Sequence, residues 1–186
     1  MPILAPEINL HPADLLERAG GASGDLRWWV LYTLSRQEKQ LMRRLHLFDI
    51  PFYSPLVRKK QRSPAGRFRE SYVPLFSNYV FVLGGEDDRQ SALKTNCVAN
   101  WMAAADTAAL THDLRQIQRL IEIGAPLTPE RRLEGGERVR VRSGPFRGFE
   151  GTVLRRDGET RLLVAVNFLQ QGASVLLEDC QLERLD

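Results

Sequence analysis

The sequence predicts an α+β sandwich of the ferredoxin-like kind followed by a small all-β barrel. Three observations predict it. Residues 26–124 read as strand, helix, strand, strand, helix, strand. Residues 125–133 are polar and carry Pro126 and Pro129, as expected of a semi-extended interdomain linker. From residue 134 to 186, short alternating runs broken by glycines replace the helical spacing.

Taken in order, residues 1–25 hold Pro2, Pro6, Pro12, Gly20, Gly21 and Gly24. This composition predicts a flexible extension with one helical turn near Asp14–Arg18. Trp28-Trp29-Val30-Leu31-Tyr32 is apolar on both faces, the mark of an inner strand. Leu41, Leu45 and Phe48 recur at helical spacing within Gln37–Phe48, with Ser35 placed to cap and Ile50-Pro51 to terminate. Phe52–Val57 reads as a second strand. It leads into Arg58-Lys59-Lys60-Gln61-Arg62, the turn Pro64-Ala65-Gly66, and Arg67-Phe68-Arg69, a hairpin with a basic tip. Pro74 delays the next ladder until after Asn78.

Glu86–Asn96 is a weak helix anchored by Leu93, and Val98–Ala103 returns to the sheet. Leu110, Leu114, Ile117 and Ile121 define a further helix, capped by Thr111 and closed by Gly124. Beyond the linker, Val139 and Val141 alternate with arginines. Asp157-Gly158 signals a tight hairpin, and Leu162, Val164, Val166 and Phe168 alternate on one face. Four or five such strands make a barrel near the lower size limit for an independent core.

Composition excludes several classes. Hydrophobic residues at 43% and charged residues at 26% exclude a wholly disordered chain. No apolar run approaches the ~18 residues of a membrane span, and no membrane partner is expected. Glu7, Asp14, Glu17 and Asp25 against Arg18 alone do not form a secretory leader, and Cys97 and Cys180 lie far apart with no CxxC pair. A cytoplasmic setting is therefore expected. His11, His46 and His112 are scattered, and no P-loop, HExxH, GxSxG or dinucleotide fingerprint occurs. Neither a catalytic residue, a cofactor nor a metal is expected, and a monomer is.

Charge is segregated. Residues 1–25 carry net −3. Residues 26–83 hold eleven basic against three acidic side chains, while 84–132 and 133–186 are each at −1. A basic surface concentrated in one stretch fits a polyanion partner; a solvated charged loop fits it too.

The segment Gly144-Pro145-Phe146-Arg147-Gly148-Phe149-Glu150-Gly151-Thr152-Val153, preceded by Val139-Arg140-Val141, resembles a KOW motif of an SH3-like barrel. Its glycines permit positive φ and close approach, and Phe146 plugs the barrel end. Together with Trp28-Trp29-Val30 and Pro74-Leu75-Phe76-Ser77-Asn78-Tyr79-Val80-Phe81-Val82, it makes residues 26–186 similar to the NusG family of transcription elongation and antitermination factors. Ser77 and Asn78 stand where Pro and Gly are usual, which is closer to the specialised RfaH-like branch.

The resemblance implies a first domain that docks on the clamp helices of RNA polymerase and suppresses pausing or termination. The matching apolar positions are Tyr32, Leu75, Phe76, Tyr79 and Phe81. Phe76, beside Pro74, is the one expected to be most exposed; Tyr79 and Phe81 also fit a core reading. Arg36, Gln40, Arg43 and Arg44 share the polar face of the first helix, where the resemblance implies non-template DNA; a solvated face accounts for them equally. Arg58, Lys59, Lys60, Arg62 and Arg67 on the hairpin would reach upstream or bubble DNA. Phe168, Leu169, Gln170 and Gln171 match the loop through which such barrels bind the NusE ribosomal protein or Rho. Gln170 and Gln171 replace the usual Gly and Arg, which leaves NusE open and disfavours Rho. Two alternatives are a ribosome-associated KOW protein that binds RNA and a small enzyme with an SH3-like appendage.

Overall fold

The computed structural model describes residues 7–19, 25–62, 66, 68–133, 135–178 and 180–185. The chain forms two compact units, Met1–Thr111 and His112–Asp186.

The first unit is built on a five-stranded antiparallel sheet of β1 (Leu10–His11), β2 (Arg27–Thr33), β3 (Phe52–Tyr53), β6 (Tyr79–Gly84) and β7 (Val98–Ala103), in the order β1-β3-β6-β2-β7. β2 is an inner strand with four consecutive buried residues, Trp28 to Leu31, because both of its faces are covered. Trp29, Leu31, Phe52, Val80 and Val82 share one face and pack with Leu41, Met42 and Leu45 of α2 (Glu38–Leu47) and Ala92 of α3 (Glu86–Leu93). Each large apolar side chain so buried contributes about 1.5–3 kcal/mol. On the opposite face, Tyr32 lies directly across from Tyr79 and Val30 from Phe81. There the Trp28 indole N–H donates to the Thr111 hydroxyl at 2.8 Å.

Local details differ from expectation where tertiary partners intervene. α2 starts from Gln37, which makes no side-chain cap, and Ser35 plays no capping part. In α4 (Thr107–Glu122) the cap is Asp106, whose carboxylate accepts the Ala109 N–H at 2.8 Å; the Thr111 hydroxyl instead donates to the Thr107 carbonyl. The buried stripe of α4 runs Leu110, Leu114, Ile117 and Leu120, with Ile121 half-buried. Gly124, at φ 73°, follows as the left-handed residue after the helix. The single strand expected over 52–57 breaks at Ser54-Pro55, and its second part becomes the hairpin of β4 (Leu56–Arg62) and β5 (Phe68–Pro74).

The N-terminal segment, expected to be flexible, is integrated where described. β1 pairs with β3, and α1 (Leu15–Ala19) buries Leu15, Leu16 and Ala19. Three apolar anchors and edge-strand pairing outweigh the ordering entropy that its proline content suggested.

The second unit contains a six-stranded antiparallel sheet: β8 (Thr128–Glu130), β9 (Arg138–Val141), β10 (Glu150–Arg156), β11 (Glu159–Val166), β12 (Gln171–Leu176) and β13 (Leu182–Arg184). Its order is β13-β9-β10-β11-β12-β8. Asp157 and Gly158, both at positive φ, form the two-residue turn between β10 and β11. Gly151 admits no side chain because a Cβ would collide with the Leu163 carbonyl oxygen. β8 lies inside the segment read as linker. It stays there because Glu130, buried, accepts the Ser174 hydroxyl at 2.7 Å and the Arg156 guanidinium at 3.3 Å.

Candidate functional site

The apolar positions divide into a partly exposed tyrosine pair and three buried residues. Tyr32 is 39% exposed and Tyr79 half-buried; their rings meet edge to face at 5.3 Å between centroids. Burial, followed by the nearby Tyr32, pushes the Tyr79 phenol above its usual range. Leu75, Phe76 and Phe81 are buried, Phe76 at only 2% exposure, with its ring 6.5 Å from that of Phe81. The expectation that Phe76 would be the most exposed of the set is therefore corrected. The β5–β6 connection folds inward: Leu75 N–H donates to the Pro55 carbonyl at 2.8 Å and Tyr79 N–H to the Phe76 carbonyl at 3.2 Å. Asn78 turns the chain at φ 68°, and its N–H donates to the buried Glu38 carboxylate at 2.8 Å. Asn tolerates this left-handed conformation, so it serves the backbone much as glycine would.

Helix α2 is held by Leu41, Met42 and Leu45. Arg36, at φ 61° just before it, and Gln40 and Arg43 along it are exposed. Arg44 is half-buried and donates to the Thr95 carbonyl at 3.2 Å, which ties α2 to the chain just after α3. Arg43 meets Glu7, whose carboxylate accepts from its Nε at 3.1 Å and also from its Nη2. The Arg43 guanidinium holds the Glu7 carboxyl below the usual carboxylate range, with a smaller contribution from Lys39. Sequence reading missed Glu7, because nothing in a segment 36 residues away marks it as a partner of Arg43.

The hairpin register sets its charge pattern. Arg58 lies across from Tyr72, Lys60 from Glu70 and Arg62 from Phe68, so these six share one face; Lys59 points to the other. Glu70 takes both Arg58, from Nε at 2.9 Å, and Lys60, at 3.4 Å. Arg58 first, then Lys60, lowers the Glu70 carboxyl from its ordinary value. Phe68 is 75% exposed with the Arg62 guanidinium 5.9 Å from its ring centre. Arg67 lies outside the described residues.

In the second unit, the loop after β11 is a 3-10 turn over Asn167–Leu169. Phe168 is 36% exposed, Leu169 is half-buried, and Gln171 opens β12. Gln170 adopts φ 53°, and its amide donates to the Asn167 carbonyl at 2.8 Å. Asp113 holds the base of this loop, accepting the Asn167 backbone N–H at 2.9 Å and its side-chain amide at 3.1 Å. Burial pushes the Asp113 carboxyl upward against the pull of those two bonds. Gln116 accepts the Glu150 N–H at 2.9 Å, and Arg119 lies over the Phe149 ring at 4.6 Å. None of these α4 residues was singled out from sequence. Among the described residues, no group of three or more His, Cys, Asp or Glu could hold a metal, and no helix is long and apolar enough to cross a membrane.

Comparison with known families then decides the lineage. The family model described as transcription termination factor nusG matches residues 26–121, and the KOW motif model matches 136–166. This chain belongs to the NusG family. Members are transcription factors and are not known as enzymes. The transcription termination/antitermination protein NusG of Vibrio cholerae is 30% identical over 86% of this chain and 96% of its own length. That of Pasteurella multocida is 29% identical over 85% and 94%. A crystal structure of an MjSpt4:Spt5 complex, at 17% identity, covers 86% of this chain and 99% of that one, but its TM-score of 0.26 is too low to bear on the fold.

Proposed function

We propose that this NusG-family chain is an elongation or antitermination factor that docks on the clamp helices of RNA polymerase. In this reading the first domain binds through Tyr32 and Tyr79, and its basic helix and hairpin bind non-template or upstream DNA. Pausing or termination is then suppressed because the factor binds the elongating, closed-clamp state more tightly than the paused one. The observation that carries the reading is the partly exposed tyrosine pair. Two rigid aromatic rings stand side by side on the sheet face, while Phe76 and Phe81 are buried against each other.

The strand order β3-β6-β2-β7 supports the ferredoxin-like description, and the glycine and turn pattern of the second unit supports an SH3-like barrel. Arg36 just before the helix, Gln40 and the Glu7-paired Arg43 along it, and Lys59 on the hairpin face away from Glu70 are the side chains proposed to meet phosphate. Arg44 belongs to the scaffold. Phe168 and the Gln170–Gln171 edge are the proposed contact for NusE; the missing Gly-Arg pair weighs against Rho. The RfaH-like specialisation rests on Ser77-Asn78 alone, and Asn78 adopts the left-handed conformation that glycine also takes. The chain would act as a cytoplasmic monomer.

The test uses purified polymerase. Tyr32→Ala with Tyr79→Ala should keep the fold, abolish capture of polymerase and restore long dwell times at pause sites. Phe76→Ala should instead unfold the domain, at a cost of about 3–5 kcal/mol. A folded tyrosine double variant that still binds and still shortens pauses would refute the docking surface.

A further inference from the structure

The family match begins at residue 26, so residues 7–19 lie outside it. They are tied down by strand pairing, buried apolar side chains and one histidine–carboxylate contact. β1 extends the sheet along β3, Ser54 N–H donates to the Asn9 carbonyl at 2.8 Å, and the Asn9 side-chain amide donates to the Ser54 carbonyl at 3.0 Å. Leu15, Leu16 and Ala19 are buried. At the outer end, the His11 ring meets His46 of α2 edge-on at 4.6 Å, and its Nε2 lies 2.8 Å from the Asp49 carboxylate.

This docking delivers Glu7 to Arg43. Both Nε and Nη2 of the guanidinium are engaged by the carboxylate, the same fork that would grip two oxygens of a phosphate. The carboxylate is preorganised by strand pairing, so it competes at a high effective concentration. Arg43 stays largely exposed, within reach of a competing ligand. Arg36 and Gln40, by contrast, have no carboxylate placed over them by the described residues.

We infer that Glu7 is an internal phosphate mimic that sets the nucleic-acid affinity of α2: Arg43 grips a backbone phosphate only when Glu7 releases it. This inference rests on the reading of α2 as a nucleic-acid face. It makes the acidic N-terminal segment a competitor for the same surface, so the full chain binds single-stranded DNA more weakly and with a shallower salt dependence than α2 alone would predict.

The test measures anisotropy of a fluorescently labelled oligothymidine over a salt series, using the full chain. Glu7→Gln should bind about threefold tighter at low salt, with a log–log salt slope steeper by about 0.7, the increment for one more phosphate on a single strand. Adding Arg43→Gln should erase that gain. Asp87→Asn removes the same charge from an exposed position without touching Arg43 or the segment that carries Glu7, so it should leave the slope unchanged. Arg36→Gln should weaken binding whatever Glu7 does, and so tests the underlying reading separately. If Arg36→Gln weakens binding but Glu7→Gln, with an unaltered unfolding transition, gains nothing, the phosphate-mimic role fails and α2 remains a nucleic-acid face. If Arg36→Gln, Arg43→Gln and Glu7→Gln all bind as the unaltered chain does, both fall.

Discussion

Helix α2 and the β4–β5 hairpin carry most of the positive charge of the first domain, yet they present it differently. On α2 the apolar side is locked into the core by Leu41, Met42 and Leu45, and two of its arginines are drawn off by remote partners. Arg44 goes to the Thr95 carbonyl and Arg43 to Glu7, partners 51 and 36 residues away. On the hairpin, a single carboxylate from the facing strand, Glu70, serves two cations, and the ladder alternation leaves Lys59 on the opposite face. Positive charge counted along a sequence is therefore not positive charge available to a ligand. A helix face can lose its arginines to remote partners, whereas a two-stranded arm projecting into solvent keeps an excess that its short-range pairing cannot cancel.

The comparison breaks most readily at the hairpin. Lys59→Glu with Lys60→Glu removes two attractive charges and adds two repulsive ones. Binding to nucleic acid should fall by about tenfold or more at ~100 mM salt. Arg43→Gln, already partnered in the free protein, should cost much less under the same conditions. A helix variant that proved the more damaging would reverse the ranking.

Within α2, the next largest contrast separates neighbours. Arg44→Ala removes a charge-assisted hydrogen bond at the junction of α2 and the end of α3. It should lower unfolding free energy by about 1–2 kcal/mol in a denaturant titration, with nucleic-acid binding nearly unchanged. Arg43→Ala should do the opposite, sparing stability while altering the salt dependence of binding. Equal stability losses in the two variants would show that both arginines belong to the scaffold.

The same contrast explains what could be read in advance. β2 was legible because five consecutive apolar residues leave no polar face, and the β10–β11 turn because Asp157-Gly158 suits positive φ at both positions. The buried stripe of α4 followed its helical spacing as far as Ile117, then shifted to Leu120 where packing overrode the pattern. Of the candidate site, Tyr32 and Tyr79 were named through the family resemblance, and the ladder register puts them across from each other on one sheet face. Phe76 was misread because its burial depends on an inward turn closed by Leu75–Pro55 and Asn78–Glu38 bonds, none of which has a local signature. The roles of Glu7, Arg44 and Asp113 were illegible for the same reason. Each acts on a partner more than thirty residues distant, at 36, 51 and 54 residues respectively. Local chemistry writes periods and turns into a sequence; it does not write which carboxylate reaches which guanidinium.

The smallest expected effect sharpens the comparison through pH. Glu70→Gln should free Arg58 and Lys60 and tighten nucleic-acid binding by about threefold, with a modestly steeper salt slope. Its carboxyl lies below the ordinary value of 4.5 because Arg58, and then Lys60, stabilise the ionised form. The attraction is thus fully present above that ordinary value and is lost only as pH falls through the lower folded value. Between pH 7.5 and 5.5 the ratio of affinities for Glu70→Gln and the unaltered chain should stay constant, since Glu70 remains ionised throughout. Below pH 4.5 the ratio should shrink toward one, as protonation does to the unaltered chain what the substitution does permanently. A ratio already collapsing near pH 6 would mean that a group other than Glu70 governs the cations of the hairpin.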